Sequence, residues 1–272
     1  MDRWRVRGRL ALLVAPLCVL LLAYFLYPLA HLALLGAGKG GIQTYASLLR
    51  NHRYLAGIRN SLILSAITTL ATLGIGVLVG TFLERVRFPG RRLVVALVTF
   101  PLAFPGVVVG FMVILLAGRQ GVIGWITQTL WGVRSVFAYS LSGLFLGYLY
   151  FSIPRVVLTV MAATAKLDRS LEEAARSLGA SDWMVARDVV LPGLLPSLVS
   201  GGAICFATCM GAFGTAFTLA QQFEVLPMVI YTEFTLSFNI ATASALAFCL
   251  GLATWLCLFT ARLVSGDWGE AA

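Results

Sequence analysis

Six times in 272 residues the sequence passes through an apolar stretch long enough to cross a bilayer. Nothing else in the chain constrains its fold as strongly. About 20 apolar residues wound as a helix span the hydrocarbon core, and the helix form satisfies each backbone amide within its own segment. The stretches run from Leu10 to about Leu35, then over 60–83, 93–117, 136–163, 194–220 and 239–264. They predict an all-α, polytopic membrane protein with six transmembrane helices. Composition agrees, with 60% hydrophobic and 11% charged residues and a mean hydropathy of +0.92. A soluble domain carries about 25% charged residues, so a soluble enzyme and a disordered chain are excluded.

The first stretch follows Arg3, Arg5, Arg7 and Arg9, as the core of a signal peptide would. It is longer than the 7–15 residues of such a core. It also holds Tyr24, Phe25, Tyr27 and Pro28 where a cleavage site would need small residues. It reads as an uncleaved span. Six spans put both termini on one side. Taking that side as cytoplasmic places Arg3, Arg5, Arg7, Arg9, Arg85, Arg87, Arg91, Arg92, Arg155, Lys166, Arg169, Arg176, Arg187 and Arg262 inside, 14 of the 20 basic residues. Lys39, Arg50, Arg53, Arg59, Arg119 and Arg134 remain outside, the asymmetry that the positive-inside rule expects. The net charge of +9 is thus topogenic and calls for no nucleic-acid partner.

Catalytic chemistry has little to work with. Cys18, Cys205, Cys209, Cys249 and Cys257 form no CxxC pair, and His31 and His52 are the only histidines. The cysteines read as small packing residues, and no metal site is expected. Glycines crowd the spans at Gly74, Gly76, Gly80, Gly106, Gly110, Gly201, Gly202, Gly211 and Gly214, which permits close helix approach in lipid. Pro101 and Pro105 interrupt the hydrogen bonding of the third span and predict a kink. Residues 42–57 fit either a short amphipathic helix at the outer interface or a plain loop. No charge falls securely in mid-membrane; Arg155 is the nearest, read as snorkelling or partnered. Proton and ion pathways usually leave intramembrane carboxylates, and their absence counts against an ion-driven carrier.

The polar segment between the fourth and fifth spans is the most informative. Ser170 with Glu173 three residues on forms a capping-box pattern, and Gly179 supplies a left-handed stop. The spacing predicts a helix over 171–178, a glycine turn, and a second helix capped by Ser181 or Asp182 and limited by Pro192. Glu173-Ala174-Ala175, Gly179, Val189 and Leu191-Pro192 also meet the spacing of the EAA signature. On these residues the chain resembles the permease subunits of binding-protein-dependent type I ABC importers, with a MetI-like transmembrane domain. The resemblance covers about residues 55–265, including Asn60-Ser61-Leu62 and the segment Pro101 to Pro105-Gly106. Val189 stands where Ile is commoner.

The resemblance implies a division into a cytoplasmic basic tail (1–9), a first transmembrane helix (10–35), a periplasmic loop (36–59), a transmembrane domain (60–264) with a coupling loop (165–192), and a cytoplasmic tail (265–272). It implies a bacterial inner-membrane location with both termini cytoplasmic. It implies two ABC ATPase subunits, a second permease (sister or self) and a periplasmic substrate-binding protein as partners. ATP and magnesium would be bound by the ATPases, with no cofactor in this chain. The loop would dock on an ATPase through Glu172, Glu173, Ala174, Ala175, Arg176, Gly179, Ala180, Asp182, Trp183, Leu191 and Pro192. Small alanines permit close contact, charges form assisted bonds across an interface, and Trp183 is an apolar anchor or a membrane-interface indole.

The chain lacks a Walker A sequence and so reads as a transport subunit and not an enzyme. An intramembrane protease of the CAAX type needs EExxxR, but Ser177 stands where the arginine belongs. For cargo, Phe213, Thr215, Phe217 and Thr218 either line a path or pack helices. The outer loop 221–238 carries Glu224 and Glu233 without a basic residue. The stretch Gly211 to Thr218 and Leu226-Pro227 look most like permeases grouped with polyamine, ferric iron and aminophosphonate importers. The expectation is a small charged solute, a polyamine first, with ferric iron or an aminophosphonate as alternatives.

Overall fold

The computed structural model describes residues 14–38, 42–221 and 223–269. The basic tail 1–9, the first residues of the first span, Lys39 and the end of the C-terminal tail lie outside the described residues. Among those described, every regular element is helical. Six helices have the length and apolar character to cross a membrane. They are α1 (Val14–Ala37), α3 (His52–Arg85), the pair α5 (Gly106–Ala117) and α6 (Val122–Trp131), α7 (Leu141–Lys166), α9 (Asp182–Met210) and α12 (Ile240–Gly269). Shorter helices are α2 (Ile42–Leu48), α4 (Arg91–Thr99), α8 (Arg169–Ser177), α10 (Phe213–Leu219) and α11 (Leu226–Thr235).

Two compact units result. One comprises residues up to Leu55 with Val229–Gly251, the other Ala56–Met228 with the residues from Leu252. In the first, α2 folds back on α1. Tyr45 donates to the Ala33 carbonyl at 2.8 Å and Thr44 to that of Ala37 at 2.9 Å. Gly36 permits this, because a Cβ there would stand 2.7 Å from the Tyr45 hydroxyl. Of the two readings of 42–57, each holds in part: α2 ends at Leu48, a turn follows, and α3 begins at His52. Within the same unit Arg53 pairs with Glu233 at 3.2 Å, and the Glu233 side chain is only 7% exposed.

The second unit is centred on α7, whose Leu144, Tyr148, Val156, Val157 and Val160 are buried. Lipid offers no hydrophobic gain for helix association, so close packing of small residues has to hold the bundle. Gly80 of α3 illustrates it: a Cβ there would stand 2.8 Å from Val160. Thr215 donates to the Gly106 carbonyl at 3.0 Å, and a Cβ on Gly110 would overlap the Thr218 hydroxyl. Helices α5 and α10 thus touch backbone to backbone. At the start of α3, Asn60 donates to the Glu224 carbonyl at 2.9 Å and Ser61 accepts from the Leu226 amide at 2.7 Å.

Three expectations are corrected. The third span begins at Gly106, not near residue 93, and takes in α6 as far as Trp131; before it α4 tightens into a 3₁₀ turn (Phe100–Ala103), Phe104 is extended, and α5 starts afresh after Pro105. The two prolines explain it, since each removes an amide donor and disfavours the helical conformation of the residue before it. The fifth span ends at Met210, and 213–219 is a separate helix. Pro192 does not limit the helix that Ser181 caps. A π turn at Ala186–Val190, closed by the Leu191 amide on the Ala186 carbonyl, carries that helix through to Met210. Widening the turn by one residue accommodates the missing amide of Pro192.

Candidate functional site

The loop between α7 and α9 holds the first set of candidate residues. Asp168, in an extended conformation, caps α8 by accepting the Ser170 amide at 2.9 Å. The cap is thus Asp168 and not Ser170, which is already helical; both residue types suit the role, and the backbone decides. Hydrogen bonds from the Ser170 amide and hydroxyl hold the Asp168 carboxyl below its ordinary pKa. At the other end Gly179 takes φ +87°. Its amide reaches the Arg176 carbonyl at 2.9 Å, and that of Ala180 reaches Ala175 at 3.0 Å. This two-bond stop needs a residue free to adopt positive φ. Ser181 then accepts the Met184 amide at 3.4 Å and starts α9.

These caps hold α8 as a short, well-delimited helix with distinct faces. Glu173, Ala174 and Arg176 are exposed, as are Gly179, Asp182, Leu191 and Pro192, while Ala175 and Ala180 are half-buried. Trp183 is 73% exposed. Two charges expected to reach across an interface are engaged within the loop, Arg176 with Asp182 at 3.3 Å. Glu172 is engaged too, turned inward onto Arg85 at the end of α3 in a partly buried ion pair. Sequence reasoning missed Arg85, which lies 87 positions away. It also passed over Leu171 and Leu178, whose apolar side chains stand in the open outside the spans; Leu178 is 89% exposed.

A second set lies within the membrane portion. Arg155 is 14 residues from the start of the 26-residue α7 and 11 from its end, about 21 and 17 Å along the axis. It is therefore near the middle of α7. It donates to the Thr208 hydroxyl of α9 at 2.9 Å and borders a cavity of about 300 Å³ between α5, α7, α9 and α10. Of the four path candidates, Thr215 lines this cavity. Thr215 and Thr218 are buried against α5, whereas Phe213 and Phe217 face outward with ring centroids 5.5 Å apart.

Six bilayer-length helices define a polytopic membrane protein. Residues 72–266 match the family described as "Binding-protein-dependent transport system inner membrane component", and the chain belongs to it. It is a multi-pass inner-membrane permease subunit of ABC importers with a MetI-like fold, itself not catalytic; partner ATPases hydrolyse ATP. The protease and ion-coupled-carrier alternatives fall with that assignment. The chain is 34% identical over 176 residues to the molybdenum transport system permease protein ModB of Escherichia coli K12, covering 63% of this chain and 76% of that protein. It is 32% identical to a "Probable molybdenum ABC transporter permease protein" of Haloferax volcanii, covering 98% and 93%. With the sulfate transport system permease protein CysT of E. coli K12 it shares 31% identity, covering 90% and 88%. A crystal structure of a bacterial alginate ABC transporter with its pentasaccharide-bound periplasmic protein superposes with TM-score 0.83 at 18% identity, covering 97% and 96%.

Proposed function

We propose that this chain supplies half of the translocation path of an importer for a small oxyanion of the molybdate and sulfate type. Its partners are a second permease, two ATPase subunits that hold ATP and magnesium, and a periplasmic binding protein. Both termini face the cytoplasm, in keeping with the distribution of arginine and lysine. The observation that carries the coupling role is the exposed face of the loop, where Leu171, Leu178, Trp183 and Met184 stand open beside Glu173 and Ala174. Apolar side chains massed outside the spans mark a protein contact. The face they form has the size and chemistry of a helix that seats in a cleft of the ATPase.

The cargo reading leans on relatives named for molybdenum and sulfate. The polyamine expectation rested on an acidic outer loop, but Glu233 is nearly buried and paired with Arg53. That carboxylate therefore offers little attraction to a passing cation. An aminophosphonate, with its own oxyanion group, is the second reading. Ligand screening of the cognate binding protein by thermal shift tests the cargo, with molybdate and sulfate expected to stabilise it. Stabilisation by spermidine alone would overturn the oxyanion reading. Native mass spectrometry of the co-purified complex tests the assembly, and an active lone permease would contradict it.

A further inference from the structure

Arg155 is an ionisable residue within a spanning helix whose chemistry the coupling role does not use. An ionisable side chain within a spanning helix is costly, and membrane proteins keep one there paired or facing a polar cavity. No carboxylate pairs with Arg155 among the described residues. Of its five N–H donors, Thr208 receives one. The guanidinium borders the cavity between α5, α7, α9 and α10 without a counter-charge on any of its walls.

Those walls are built for a small anionic guest. Phe104 and Phe151 give the cavity apolar walls, and Gly106, Gly211 and Gly214 line it together with Thr208 and Thr215. A Cβ on Gly214 would stand 3.0 Å from the Val107 amide nitrogen, in the first turn of α5. The Thr208 hydroxyl proton goes to the Ile204 carbonyl at 2.7 Å and that of Thr215 to Gly106. The strong donors left for a guest are thus those of Arg155. Guanidinium forks match the oxygens of tetrahedral oxyanions in geometry as well as charge. The low-dielectric surroundings strengthen the pairing.

We propose that this cavity is an oxyanion subsite among the membrane helices, with Arg155 as its ligand-binding residue. The proposal deepens the oxyanion reading above and rests on it. A rival, purely structural role would make Arg155 a hydrogen-bonded tie between α7 and α9, with Thr208 as an equal partner.

The complete transporter, reconstituted in liposomes with its binding protein, separates these. Uptake of radiolabelled sulfate and molybdate by the unaltered complex tests the cargo reading, with spermidine as the cation control. Arg155→Gln, Arg155→Lys and Thr208→Val test the subsite, both by uptake rate and by retention of the two oxyanions on the complex without binding protein. The subsite requires that Arg155→Gln lower uptake and retention at least tenfold, that Arg155→Lys recover a substantial part, and that Thr208→Val stay within about threefold of the unaltered protein. If the unaltered complex imports oxyanions and Arg155→Gln does so equally well, the subsite is refuted and the cargo reading stands. Equal losses in all three variants would establish the structural tie instead. Should Arg155→Gln fail to insert, the contrast between Arg155→Lys and Thr208→Val decides between the two.

Discussion

The pair between Arg85 and Glu172 joins the end of a transmembrane helix to the exposed helix α8, so removing it should loosen that helix without removing its outer face. The two side chains are 20% and 12% exposed, and the Nε of Arg85 has no other partner. Replacing Glu172 by Ala leaves a largely buried guanidinium unpaired. Fully buried pairs cost about 3–5 kcal/mol when one partner is removed; the residual exposure brings this to roughly 2–3 kcal/mol, or a 30- to 150-fold shift in how often α8 detaches. Amide exchange across 169–177 should quicken by that order. Transport per ATP hydrolysed in proteoliposomes should fall several-fold, while the permease still binds its ATPase. The exchanged pair, Arg85→Glu with Glu172→Arg, should recover much of both losses. A double-mutant cycle with a coupling energy below about 0.5 kcal/mol would refute the reasoning and reduce the pair to a surface contact.

Gly179 at φ +87° has no neighbour within 4 Å of a built Cβ, so Gly179→Ala should cost only the left-handed backbone strain of about 1–2 kcal/mol. Gly179→Asn should be milder, as read by transport rate with membrane insertion unchanged. Gly110→Ala should push α5 from α10 and lower the thermal stability of the solubilised protein by about 1–3 kcal/mol; Thr218→Ala in the same chain should restore part of it. The Asp168 cap follows its lowered pKa: the stabilisation is complete above the unfolded carboxyl value and is lost as pH falls through the folded one. Protection of the Ser170 amide, followed by NMR, should therefore persist through mild acid and vanish only in strong acid, and its loss near pH 6 would contradict the assignment.

The spans were legible because each is a long apolar stretch, and the Gly179 stop because few residues tolerate its conformation. Pro101 and Pro105 announced trouble in the third span but not its size, since local sequence does not tell a bend from a restart. The end of the fifth span was missed because residues 211–219 stay apolar, and the chain breaks there only where α10 lies against α5. Asp168 and Ser170 are equal as caps on paper; the direction in which the chain leaves α7 chooses between them. The ion pairs of Arg53 with Glu233 and of Arg85 with Glu172 join residues 180 and 87 positions apart. No periodicity encodes such pairings. Arg155 was read as snorkelling or partnered, and its partner, the Thr208 hydroxyl, lies 53 positions away.

The helix that begins at Asp182 in the loop runs unbroken to Met210, and Thr208, the partner of Arg155, rides near its far end. The distance between Asp182 and Thr208 along the axis is about 39 Å. One continuous helix therefore reaches from the face where an ATPase would seat to the Thr208 partner of Arg155. Any axial push or twist at its outer end arrives at Thr208, less whatever slack the five-residue π turn near its base takes up. The widened turn is where this helix is most able to flex, and a stroke delivered at its loop end would reach Thr208 less whatever that turn absorbs.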